Sequence, residues 1–94
     1  EFDSLGKMQI DNCCYYGIQT QRALSNFSVT DAPISTEPEL IVALAMVKYC
    51  CAQANQQLGV LGQDKASAIM SACQEVIDGN QHTQVVVGVI QGGA

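Results

Sequence analysis

The chain has no tryptophan, two prolines and one histidine, and only four of its 94 residues are basic. Against nine acids they leave a net charge of −5. A nucleic-acid binder needs several Lys or Arg side chains on one face to release phosphate counterions, and no basic cluster exists here. An anionic membrane surface is excluded as a partner on the same ground. No apolar run approaches the roughly 18–20 residues that cross a bilayer. The opening EFDSLGKMQI has no basic region ahead of an apolar core, so it does not read as a secretory signal. It also lacks an initiator Met, and VVVGVIQGGA is an unusually apolar way to finish. The start reads as cut or processed, and the finish as a chain cut in mid-structure.

The five cysteines have no CxxC spacing. They fall as Cys13-Cys14, Cys50-Cys51 and a lone Cys73. An odd count in adjacent pairs argues against a secreted disulfide framework and against a zinc site, and nothing near His82 completes a ligand set. The expectation is reduced thiols, mostly small apolar packers, in a cytoplasmic protein.

What is present is helical pattern. From Pro38 to Leu58 the apolar positions Leu40, Leu44, Val47, Cys51, Ala54 and Leu58 recur at helical spacing, one continuous stripe. Thr36 with Glu39 three residues on fits a capping box, Pro38 suits a first turn, and Gly59 is a natural stop. A second helix is expected over 64–78, with Ala66, Ile69, Met70, Cys73, Val76 and Ile77 on one face and Gly79 past its end. The five residues between predict an antiparallel hairpin whose stripes face each other and, in a longer parent, neighbouring domains, so that some of that surface is exposed in isolation. Residues 1–19 read as extended or loop, 20–26 as a short helix, 29–35 as a turn, and the C-terminus as a short further element. The fold class is therefore mainly α, a helical hairpin with an irregular N-terminal segment, in at most one domain.

Chemistry-bearing residues are few. There is no placeable Ser/His/Asp or Cys/His constellation and no phosphate loop. Arg22, the single arginine, stands in YYGIQTQRALSNF (15–27). Its planar fork suits a carboxylate, and Thr20 adds a hydroxyl two residues earlier. The competing reading is that Arg22 pairs with a neighbouring Asp or Glu, or with carbonyls at a helix end.

That stretch resembles the N-terminal signature of the aspartase/fumarase superfamily, YYG(V/I)(Q/H)TxRAxENF. On either side, Asp3-Ser4-Leu5-Gly6 resembles its D-x-[LM]-G, and Pro38-Glu39-Leu40-Ile41 with Val47-Lys48 and Ala54-Asn55 resembles its PELI…VK…AN. Ala72 to Ile77 resembles AACDEVI, and Gln91-Gly92-Gly93-Ala94 resembles QGGA. The resemblance spans essentially the whole chain in order. Tyr15-Tyr16-Gly17 stands where fumarases usually have YWG, and Gln91 to Ala94 where they have QTGSGT, which favours the aspartase type. Gln19-Thr20-Gln21-Arg22, common in fumarases, keeps the hydratase alternative open, as does a non-catalytic interaction module. Asp11 replaces a usual proline, Tyr49 a lysine, and Val85, Val86 and Gly88 a usual Phe, Pro and Asp.

The resemblance implies that residues 1–94 are the N-terminal domain of a larger helical enzyme, cytoplasmic and homotetrameric. That enzyme would eliminate ammonia from L-aspartate to give fumarate, without cofactor or metal. It implies substrate-binding roles for Arg22, which corresponds to a family arginine that handles a substrate carboxylate, and for Thr20 beside it, either touching substrate or holding the active-site wall, and an approach to the substrate loop at Gln91 to Ala94. The general base would be a serine far downstream, and a GTSxNMN run would follow Ala94. Alone, the chain is expected to be inactive.

Overall fold

Helix-forming sequence is densest between Pro38 and Ile77, and there the computed structural model has its two long helices. The structure describes residues 1–27 and 32–88. The chain divides into two compact units, one formed by Pro38–His82 and the other by Glu1–Glu37 with Thr83–Ala94.

The Pro38–His82 unit is an antiparallel pair, α2 (Pro38–Gln57) and α3 (Gln63–Ile77), lying against each other. Their bounds match the expected helices within one residue. Each ends in a Schellman closure. At the end of α2, Gly59 N–H donates to Gln56 O at 3.0 Å and Val60 N–H to Asn55 O at 3.0 Å. At the end of α3, Gly79 N–H donates to Val76 O at 3.0 Å and Asn80 N–H to Glu75 O at 3.0 Å. Both closures need a left-handed residue just past the helix, and Gly59 (φ 76°) and Gly79 (φ 100°) supply it without a Cβ penalty. His82 adds a ring N–H: Nε2 lies 2.8 Å from Val76 O, and since a carbonyl only accepts, Nε2 carries the proton.

The buried face of α2 is not the expected one. Ile41, Ala45 and Ala52 are buried, whereas Leu40, Leu44, Val47, Cys51, Ala54 and Leu58 are all exposed. The buried face is turned by about one residue, roughly 100°, from the apolar stripe. Three of the buried positions in the helical pair carry alanine (Ala45, Ala52 and Ala66) and one carries Cys73. Small side chains let two helices linked by a short loop approach closely, so size outweighed hydrophobicity in choosing the face. On α3 the expected face fits better. Ala66 and Cys73 are buried, Met70, Val76 and Ile77 half-buried, and Ile69 is exposed.

The other unit begins with a minimal antiparallel hairpin, β1 (Phe2–Asp3) and β2 (Gly6–Lys7), with Phe2 opposite Lys7 and Asp3 opposite Gly6. An irregular stretch leads to α1 (Ile18–Asn26), two residues longer at its start than expected. After it come a 3-10 turn at Ile34–Thr36 and the segment 85–88. Ile34 N–H donates to Val87 O at 2.9 Å, Ser35 N–H donates to Val85 O at 3.0 Å, and Pro33 and Gly88 form a bridge. Thr36 Oγ1 donates to Pro33 O at 2.7 Å, so the hydroxyl expected in a capping box closes its own turn instead. Part of the expected 29–35 turn, and the whole of Gln91 to Ala94, lie outside the described residues.

No helix among the described residues is long and apolar enough to cross a membrane. All five cysteines are free. Only Cys73 is buried, while Cys13, Cys50 and Cys51 are exposed. The expectation of mostly apolar packers is therefore corrected. Adjacent positions on a helix point about 100° apart, and with Ala52 on the buried face Cys50 and Cys51 both fall outside it.

Candidate functional site

The first turn of α1 gathers the residues singled out for chemistry. Gly17 precedes the helix, and its open Cα lets a distant carboxylate approach. Glu1 Oε2 accepts from Ile18 N–H at 2.6 Å, and a Cβ on Gly17 would stand 2.9 Å from that oxygen. The helix has no acid of its own in its first turn. Glu1 provides one from elsewhere in the chain, placing negative charge against the partial positive end of the helix.

The second carboxylate is Asp3, at the start of the β1–β2 turn. Gly6 at φ 121° allows that turn, and Leu5 N–H donates to Asp3 Oδ1 at 2.9 Å. From α1, Arg22 Nε donates to Asp3 Oδ2 at 2.9 Å and Arg22 Nη2 to Asp3 Oδ1 at 3.0 Å. This is the fork-on-carboxylate geometry that makes arginine pairs strong. Arg22 Nη2 also donates to Gly6 O at 3.1 Å, and Gln19 Nε2 to Asp3 Oδ2 at 2.9 Å. The two side chains are largely covered, at 19% exposed for Arg22 and 10% for Asp3. The Arg22 guanidinium, ahead of the Leu5 and Gly6 backbone, holds the Asp3 carboxyl below its ordinary range despite some desolvation.

Of the two residues expected to meet substrate, then, Arg22 has its Nε/Nη2 edge on a carboxylate of this chain. Only Nη1 is left without a partner among the described residues. Thr20, half-buried on the same turn, has a hydroxyl with no hydrogen bond among the described residues.

Asp11, which stands where the aspartase/fumarase pattern usually has a proline, builds a tight turn. Its Oδ1 accepts from Cys13 N–H at 3.0 Å and from Cys13 Sγ at 2.8 Å, while its carbonyl accepts from Cys14 N–H at 3.1 Å. An Asp side chain closing on the backbone two residues later imposes a bend by hydrogen bonding, as proline does by ring closure. The thiol lowers the Asp11 carboxyl, and the carboxylate pushes the Cys13 thiol up. Tyr16 is pushed up by its hydrogen bond with Cys14. Tyr15 N–H donates to Gln84 Oε1 at 2.9 Å, tying the turn to the segment far along the chain. No group of three or more metal-ligating side chains is assembled among the described residues.

A family model described as lyase matches residues 6–94. The aspartate ammonia-lyase of Pseudomonas aeruginosa is 52% identical over all 94 residues, and that of Helicobacter pylori strain J99 is 44% identical. The class II fumarate hydratase of Halobacterium salinarum is 43% identical over the same length. The chain spans about 20% of the length of these curated relatives. A crystal structure of a fumarate lyase:delta crystallin from Brucella melitensis superposes with a TM-score of 0.90 at 48% identity, covering 99% of this chain and 21% of that one.

Proposed function

The chain belongs to the lyase family, and on that premise we propose that it is the N-terminal part of an aspartate ammonia-lyase. The enzyme would reversibly eliminate ammonia from L-aspartate to give fumarate. The observation that carries this reading is identity, 52% with the P. aeruginosa aspartate ammonia-lyase over all 94 residues. Tyr15-Tyr16-Gly17, where fumarases usually carry a tryptophan, supports the same choice.

In such a reaction a proton leaves the carbon next to a carboxylate, and negative charge builds on that carboxylate before ammonia departs. The protein's share is preorganised donors around that charge and a general base. This chain supplies part of the wall. Thr20 is proposed as a donor to substrate, because its hydroxyl has no hydrogen bond among the described residues and sits on a turn fixed from both sides. Arg22 is proposed to serve carboxylate handling by holding that wall, with Nη1 as its remaining donor edge, since its other edge is occupied by Asp3. The base and the remaining donors would come from the rest of a cytoplasmic homotetramer, so the 94-residue chain alone is proposed to be inactive.

The test is fumarate formation by the full-length protein carrying this chain, followed by ultraviolet absorbance, with L-aspartate and L-malate in parallel. Turnover of aspartate supports the reading. Turnover of malate alone transfers the chain to the hydratase reading, for which the 43% identity to the Halobacterium enzyme is the weaker support. Turnover of neither removes the catalytic reading and leaves an interaction module.

A further inference from the structure

Asp3 is saturated. An ionised carboxylate offers about four lone-pair sites, and Asp3 accepts four hydrogen bonds, from Leu5 N–H, Gln19 Nε2, Arg22 Nε and Arg22 Nη2. At 10% exposure it has no capacity left for a ligand, so its role lies in what it holds. It holds Gln19 and Arg22, the residues on either side of Thr20 and Gln21 in the helix. Glu1 meanwhile fixes Ile18 N–H at the helix start. The N-terminal hairpin thus grips the first turn of α1 at three places, and Thr20 sits inside the grip.

We propose that Asp3 is a positioning residue: acting through Gln19 and Arg22, it locks the first turn of α1 and so aims the Thr20 hydroxyl. The functional part of this inference rests on the lyase reading above. The physical part does not. A carboxylate bonded twice to a rigid fork fixes distance and direction, whereas a single hydrogen bond to a flexible side chain fixes neither.

The experiment uses the full-length protein with Asp3→Asn, which keeps shape and removes charge, and Asp3→Glu, which keeps charge and lengthens the arm. Each is made alone and with Thr20→Val. Asp3→Asn is expected to raise KM for L-aspartate roughly 10-fold or more, the size of one lost hydrogen bond to a charged group. The change in kcat should be smaller, and Asp3→Glu should recover part of the loss. In the Thr20→Val background Asp3→Asn should add little, because the group it aims is gone. A merely structural Asp3 would instead reduce the folded fraction, lowering apparent kcat with KM unchanged, and that outcome overturns the proposal. So does a full Asp3→Asn effect without the Thr20 hydroxyl. Hydrogen exchange of residues 18–22 is measured on the same samples and separates the two claims. If neither substrate turns over, the lyase reading fails; faster exchange in Asp3→Asn then still supports the locked turn, and unchanged exchange removes it.

Discussion

Replacing Ile41 and Leu44 one at a time by alanine decides which face of α2 is the core. Ile41 is 5% exposed and Leu44 is 53% exposed, although both are large aliphatic residues three positions apart on one helix. Truncating Ile41 removes three carbons from an enclosed site. At about 0.8 kcal/mol for each buried methylene the transfer loss is about 2.4 kcal/mol. The unfilled space adds to it, for about 2.5–4 kcal/mol in all. Leu44 keeps half of its surface in water, so its truncation loses about 1 kcal/mol and opens no enclosed cavity. The assay is urea unfolding of the 94-residue chain followed by helical circular dichroism, comparing midpoints at constant slope. Since a domain of this size has only about 5–14 kcal/mol in total, the Ile41 variant should unfold far earlier than the Leu44 variant. An equal or larger loss at Leu44 would refute the observed burial and restore the 40-44-47 stripe as the core.

Gly59→Ala and Gly79→Ala each place a Cβ on a left-handed residue with open space around it, so strain alone should cost about 1–2 kcal/mol, read in the same unfolding assay. Asp3 has a folded-state carboxyl below its ordinary range of about 3.9. Its contribution is therefore fully present above that range and is lost as pH falls through the folded value. Acid titration should loosen residues 18–22 beneath about pH 4, and Asp3→Asn should abolish that step; an unaltered titration counts against the Arg22 pair. Thiol labelling should modify Cys50 and Cys51 first and Cys73 only on unfolding. Cys13 should react slowly despite its exposure because Asp11 disfavours its thiolate, so Asp11→Asn should accelerate it.

The helices were legible because their signals are local. Apolar spacing, Pro38 and the glycines at 59 and 79 marked both ends of α2 and the far end of α3 to within one residue. The face of α2 was not legible, since hydropathy ranks Leu40, Leu44 and Val47 above Ala45 and Ala52 and is blind to how closely two helices approach. Arg22 stood out as a lone guanidinium wanting a carboxylate, and a neighbouring acid was among its expected partners. That the acid is Asp3, 19 residues earlier, depends on a turn opened by Gly6 at positive φ. Glu1 at the start of α1 was missed for the same reason: the helix takes its negative charge from a residue 17 positions away, beyond any local capping pattern.

The bonds from Ile34 to Val87 and from Ser35 to Val85 join stretches that leave the ribosome some 50 residues apart. Closing so long a loop from a disordered state costs roughly 3.5 kcal/mol in chain entropy beyond a length-independent constant. The two helices between them need only each other's neighbours in sequence, so they can wind and pair while the C-terminal stretch is still being synthesised. Once paired, they replace most of that slack with rigid material. The stretch from Pro33 to Ser35 must then wait for its partners until Val85 to Gly88 emerge. Translation order becomes assembly order: the ties of Gln19 and Arg22 to Asp3 can form early, and that of Tyr15 to Gln84 closes last.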